Sequence, residues 1–223
     1  MPGYRRKKTR KKSQRKRGRF RLVLALIALA VILLVIVGVS NRAKKAANDT
    51  KLSKIEAGAP EFDVQLLTVN EYSRPGTALE KVKGIVIHYT ANPGTGAQAN
   101  RNYFENLKDT HTTKASSHFI VGLEGEIIQC IPTAEISYAS NERNADTISI
   151  ECCYENADGS FNQETYDSVI HLTAWLCQKF GLKAGDVIRH YDVTGKKCPL
   201  YYVEHEDAWK QFRKDVARYL KKM

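Results

Sequence analysis

No two of the five cysteines stand in C-x-x-C spacing, and the 223-residue chain carries no internal repeat. The first absence excludes a structural zinc site built from close cysteine pairs. The second excludes solenoids and other repeat architectures. Acidic residues are missing from residues 1–21, which hold twelve of the 35 Lys and Arg. The remaining residues hold 23 basic and 24 acidic side chains. The formal charge of +11 is therefore the property of a tail, and the rest of the chain is close to neutral. No nucleic-acid partner is expected, because this basic tail runs directly into an apolar stretch long enough to span a membrane.

Charge is also absent from Leu22 to Val39, LVLALIALAVILLVIVGV. Eighteen apolar residues at 1.5 Å each give about 27 Å of helix, enough to cross the hydrocarbon core of a bilayer. The run is apolar on every side, unlike the amphipathic helix of a soluble core. Basic residues before it favour a cytoplasmic N-terminus, which places everything that follows on the outer face of the cell membrane. A cleavable signal peptide is the competing reading. It is disfavoured by the length of the apolar run and the lack of a clean A-x-A site. The basic tail suits anionic lipid headgroups.

The expected organisation is a basic cytoplasmic tail at 1–21, a single transmembrane helix at 22–40, a polar linker at 41–60 and a folded domain at 61–223. The linker is read as helical in part at most. Residues 61–82 read as an arm that packs on the domain. Gly84 to Thr90 is a short β-branched run, a buried strand by composition. Strands are also expected over 116–121, 126–131, 147–152 and 186–189. Helices are expected over 97–107, 163–180 and 206–220, the second stopped by Gly181. Alternation over 147–152 puts Ser149 and Glu151 on one face, with Ile148 and Ile150 on the other. Strands alternating with helices give an α/β fold with a central mixed β-sheet flanked by helices.

His88 closes the first strand and His190 follows the last, at strand ends of the kind that border ligand crevices in α/β sheets. Cys198 lies eight residues beyond His190. A His-His-Cys set suits a zinc ion that keeps one open coordination position. Strand-end histidines also serve as hydrogen-bonded structural residues, so the residues by themselves leave both readings open.

Five blocks in order carry a more specific signal: Ile85-Val-Ile-His88-Tyr-Thr-Ala, Ala115-Ser-Ser-His118-Phe-Ile-Val, Glu126-Ile-Ile-Gln129, Asn144 with Ile148-Ser-Ile-Glu151, and Arg189-His190-Tyr-Asp-Val-Thr-Gly-Lys196-Lys-Cys198-Pro. Over about residues 64–220 they resemble the zinc-dependent N-acetylmuramoyl-L-alanine amidases of the amidase-2 type, a group that includes the peptidoglycan recognition proteins. The resemblance implies Zn2+ on His88, His190 and Cys198. It also implies a groove for the glycan strand and stem peptide of peptidoglycan, and hydrolysis of the amide between N-acetylmuramic acid and L-alanine. A non-catalytic recognition module on the same scaffold is the alternative, and relatives of that kind lack the zinc cysteine.

Within that resemblance Glu151 is expected to move the proton between water and leaving amine, and Lys196 to face the oxyanion. Lys197 points elsewhere by alternation. His118 is read either as a substrate-contacting or supporting residue, or as a packed histidine. Tyr138 stands where several relatives place a histidine near the groove, and is a substrate-contact candidate. Ser117 replaces a tyrosine that some relatives use in catalysis, so no tyrosine role is expected. His111, His171 and His205 receive no role. Cys130, Cys152, Cys153 and Cys177 are expected as buried free thiols, and the protein as a monomer.

Overall fold

Six short strands carry the architecture, and their pairing register decides which side chains meet. The computed structural model describes residues 33, 34 and 36–223. The expected membrane span at 22–40 lies mostly outside the described residues. Among those described, no helix is long and apolar enough to cross a membrane.

The chain divides into two units, residues 1–54 and 55–223. In the first, residues 36–54 are helical and exposed. Residues 41–60, read as a linker helical in part at most, are helical through residue 57. Ala43, Lys44, Lys45, Ala46, Ala47, Leu52 and Glu56 are all strong helix formers, and no proline interrupts them.

The second unit opens on residues that are pinned down. Ile55 is buried, and the Trp175 indole N–H donates to its carbonyl at 2.9 Å. A ring nitrogen of His171 bonds the Gly58 carbonyl at 3.0 Å. Leu67 and Leu79 are buried, so the arm over residues 61–82 packs on the domain as its scattered apolar residues predict.

The sheet has the order β1-β4-β3-β5-β2-β6. Its strands are β1 (Asp63–Val64), β2 (Gly84–Tyr89), β3 (Phe119–Val121), β4 (Ile127–Gln129), β5 (Thr147–Cys152) and β6 (Val187–Arg189). All neighbours pair in parallel except β3 and β4, which form an antiparallel hairpin. Gly125, with φ +80°, sits in the turn between those two strands. The sheet is therefore mixed, as expected, although β3 and β4 are shorter than the apolar runs suggest.

Helices α1 (Ala97–Thr110), α2 (Gln163–Phe180), α3 (His190–Thr194), α4 (Leu200–Glu204) and α5 (Glu206–Leu220) complete the unit. Two apolar clusters show how the sheet is covered. Ile85, Ile87, Ile148 and Ile150 pack with Val169, Leu172, Leu176 and Phe212 of α2 and α5. On the other side, Ile120 and Ile128 pack with Phe104 and Leu107 of α1. The alternation of β5 is what separates these layers. Its isoleucines enter the first cluster and leave Ser149 and Glu151 on the opposite face. Asn162 caps α2 by accepting from the Thr165 N–H at 2.9 Å, and Gly181 ends it in the left-handed conformation.

Candidate active site

Register brings the polar residues together. Parallel pairing of β2 with β5 sets His88 directly beside Glu151. Pairing of β2 with β6 sets Ile87 beside Arg189, so the next residue, His190, stands level with His88. All three lie at or just beyond the carboxyl ends of parallel strands. The chain then turns through α3 and Gly195, whose φ of +76° is the left-handed conformation glycine adopts without cost. That turn returns Cys198 to the same point, and the Tyr191 N–H donates to the Cys198 carbonyl at 2.9 Å.

His88, His190 and Cys198 are all buried, and their donor atoms lie within 4.8 Å of one another. The Cys198 sulfur is 3.8 Å from His88 Nδ1, and the two imidazole centroids are 4.6 Å apart. Tetrahedral zinc with Zn–N near 2.0 Å and Zn–S near 2.3 Å spaces such donors by about 3.5 Å. Burial holds both histidines below their ordinary range, with the Lys196 ammonium adding to the effect, so both rings are neutral at pH 7. Burial pushes the Cys198 thiol up to about 12, assisted by Glu151 and opposed by a hydrogen bond from the Tyr89 backbone and by Lys196. A thiolate there needs a neighbouring cation, a condition that a metal ion meets. Residue types, spacing and burial all fit zinc.

Glu151 Oε1 is 3.9 Å from His88 Nδ1. Because His88 is neutral, this is a polar contact and not an ion pair. Burial pushes the Glu151 carboxyl up to about 8, against the pull of the Lys196 ammonium. Its Oε2 is buried without a protein partner, as is the hydroxyl of Thr90. Both residues line one open cleft of about 440 Å³ together with His88, His190, Lys196 and Cys198. Two orphaned polar oxygens in one cleft mark a place built for a polar ligand or water. Tyr138, Lys114, Ser116 and Asn144 also line it, with the Lys114 ammonium 5.7 Å from the Tyr138 ring centre.

The substrate-contact reading of His118 is corrected by its position. It is fully buried behind the cleft, with Nδ1 3.0 Å from Ser149 Oγ and Nε2 2.8 Å from the Glu135 carbonyl. Both nitrogens are occupied, so the ring orders the sheet and touches no ligand. Ser117 is equally buried and donates to the Phe119 carbonyl. Lys197 is exposed and pairs with Glu204 at 2.8 Å, while Lys196 lines the cleft. His111 stacks on Tyr72 and His205 on Tyr201. All five cysteines are free and buried.

Ser140 and Asn141 each bond one of the two buried imidazoles, a contact that nothing in the sequence signals. The sequence shows only that a polar loop precedes β5. No spacing rule ties it to histidines 49 and 52 residues away.

The profile of the N-acetylmuramoyl-L-alanine amidase family matches residues 78–200. N-acetylmuramoyl-L-alanine amidase CwlL of Bacillus licheniformis is 39% identical over 161 residues, covering 66% of this chain and 44% of the relative. N-acetylmuramoyl-L-alanine amidase BlyA of Bacillus subtilis (strain 168) is 36% identical over 176 residues, covering 70% and 46%. The chain thus spans under half the length of these curated relatives. The solved catalytic domain of XlyA superposes with a TM-score of 0.59 at 29% identity, covering 70% of this chain and 99% of that one.

Proposed function

Because the chain belongs to the N-acetylmuramoyl-L-alanine amidase family, we propose that it hydrolyses the amide between N-acetylmuramic acid and L-alanine in bacterial peptidoglycan. In this reading His88, His190 and Cys198 hold a zinc ion. The observation that carries it is the convergence of these three donors within 4.8 Å, beside Glu151 and in the cleft lined by Lys196.

When bound, zinc supplies a Lewis acid and lowers the pKa of water to about 7. The chain's own residues do the rest. Glu151 takes a proton from the attacking water as its oxygen adds to the lactyl carbonyl. The Lys196 ammonium faces the oxyanion that forms. Glu151 then delivers the proton to the departing nitrogen as the C–N bond breaks. The products are a glycan with a free lactyl carboxylate and a peptide with a free L-alanine amine. Tyr138 and Lys114, which line the same cleft, meet the stem peptide in this reading.

The proposal extends to location. Leu22–Val39 anchors the protein in the cell membrane with its N-terminus cytoplasmic, and the hydrolase unit works outside as a monomer. An anchored hydrolase acts only on wall within reach of its tether.

The test is digestion of purified peptidoglycan with and without a chelator, and with Cys198→Ala. Stem peptides should be released by the untreated protein alone. Chelator-insensitive release, or full activity of Cys198→Ala, contradicts the zinc reading. Tight muropeptide binding with neither metal nor product marks a recognition module instead.

A further inference from the structure

The two imidazoles of the site come from different strands, yet both are held by neighbouring residues of one loop. His88 Nε2 lies 3.1 Å from Ser140 Oγ, and His190 Nε2 lies 3.4 Å from Asn141 Oδ1. We propose that this loop, residues 139–146, positions both zinc ligands, with Ser140 and Asn141 fixing the orientation of His88 and His190 and Asn141 also the tautomer of His190. This inference rests on the zinc reading above.

The chemistry of the Asn141 contact selects one nitrogen. A carboxamide oxygen only accepts, so its bond to His190 requires the proton on Nε2 and leaves the Nδ1 lone pair free. A serine hydroxyl bonds either tautomer, so Ser140 fixes the angle of the His88 ring, whose Nδ1 faces the Cys198 sulfur at 3.8 Å. Partners of this kind hold a ligating ring at the right angle and raise its basicity.

The loop is itself braced by hydrogen bonds. The Asn144 Oδ1 accepts from the Ala139 and Ser140 N–H groups at 3.0 and 2.6 Å. Arg143 pairs with Asp146 at 2.6 Å, and the Thr147 hydroxyl donates to the Arg143 carbonyl at 2.6 Å. The loop then runs into β5, which carries Glu151. One short segment therefore registers both ligands and the proton carrier against each other.

Asn141 supplies a second, independent sign. Its φ is +52°, a left-handed conformation that glycine takes most cheaply. Glycine would relax the backbone here but would provide no acceptor for His190. The residue present is one whose side chain is used.

That asymmetry gives the test. Zinc affinity is measured on the full-length, detergent-solubilised protein by competition with a chromophoric chelator, alongside thermal melts of the metal-free form. Asn141→Gly and Ser140→Ala should each weaken zinc binding by about 10- to 100-fold. Metal-free Asn141→Gly should melt at or above the wild-type temperature, because its backbone is relieved. Asn141→Asp keeps the acceptor and should retain affinity. A role in structure alone predicts that stability and affinity move together in Asn141→Gly. Wild-type affinity in Asn141→Gly and Ser140→Ala overturns the positioning role and leaves the zinc site standing. A wild-type protein that binds no zinc removes both.

Discussion

At Glu151 two influences oppose each other: burial pushes the carboxyl up and the Lys196 ammonium pulls it down, leaving it near 8. A proton carrier works best with a pKa close to the working pH, because it must both accept and donate within one turnover. Glu151→Gln keeps the shape and loses the proton. It should lower kcat by about 10²- to 10⁴-fold with zinc content unchanged. Lys196→Ala removes a charge that repels cations from the site, so zinc affinity should hold or rise. Its kcat should fall by about 10²- to 10³-fold. Normal kcat in Lys196→Ala removes the oxyanion role. His118 makes a prediction of a different kind. Burial lowers its pKa from 6.5 to about 4. The unfolded chain protonates this ring near pH 6.5, whereas the folded protein keeps it neutral down to about 4. Unfolded protein binds more protons between those values, so stability is complete above 6.5 and drains away toward 4. Between pH 7 and 4.5 the wild type should lose about 2 kcal/mol more stability in denaturant titrations than His118→Gln does. Equal losses would show that the ring is not the group responsible.

Among the elements, the turn from β6 into α3, α4 and α5 carries His190 and Cys198, two of the three clustered donors, and Arg189 fastens it. This side chain donates to the Tyr202 carbonyl and Glu206 at 2.7 Å, and to Asp192 at 2.8 Å, with Trp209 at 5.4 Å from the guanidinium. Arg189→Ala should cost on the order of 2–3 kcal/mol of stability. Arg189→Lys should recover only part of it, since an ammonium lacks the planar fork that reaches three acceptors. Full recovery with lysine would reduce the role to charge. Much at this scale was legible in the sequence. The alternation of Thr147-Ile-Ser-Ile-Glu-Cys already separates the isoleucines from Ser149 and Glu151, and parallel register then sets Glu151 beside His88. Strand ends that carry His88 and His190 were legible because a strand terminus has a composition of its own. His118 was not, because a histidine beside an apolar strand reads the same whether it faces a cleft or lies behind it. Its place is settled by Ser149 and the Glu135 carbonyl, at separations of 31 and 17 residues. Ser140 and Asn141 were hidden for the same reason, and the full extent of helix over residues 41–57 because a polar composition suits a linker and a solvent-exposed helix equally.

At the scale of the whole molecule, the proposed anchor and the proposed chemistry fall in different parts of the sequence. Twelve basic residues stand before an uncharged apolar run, and the portion that follows is nearly neutral with a buried, neutral pair of histidines at its site. Nothing in that portion depends on the tail for its donor set, since His88, His190, Cys198, Glu151 and Lys196 all come from the unit over residues 55–223. The central claim is therefore about which bond this unit breaks. Mass spectrometry of purified peptidoglycan digested by the full-length protein tests it most directly. The account predicts stem peptides that begin with a free L-alanine amine, and glycan strands whose muramic acid carries a free lactyl carboxylate. New reducing sugar ends, or cuts between residues of the stem peptide, would contradict it.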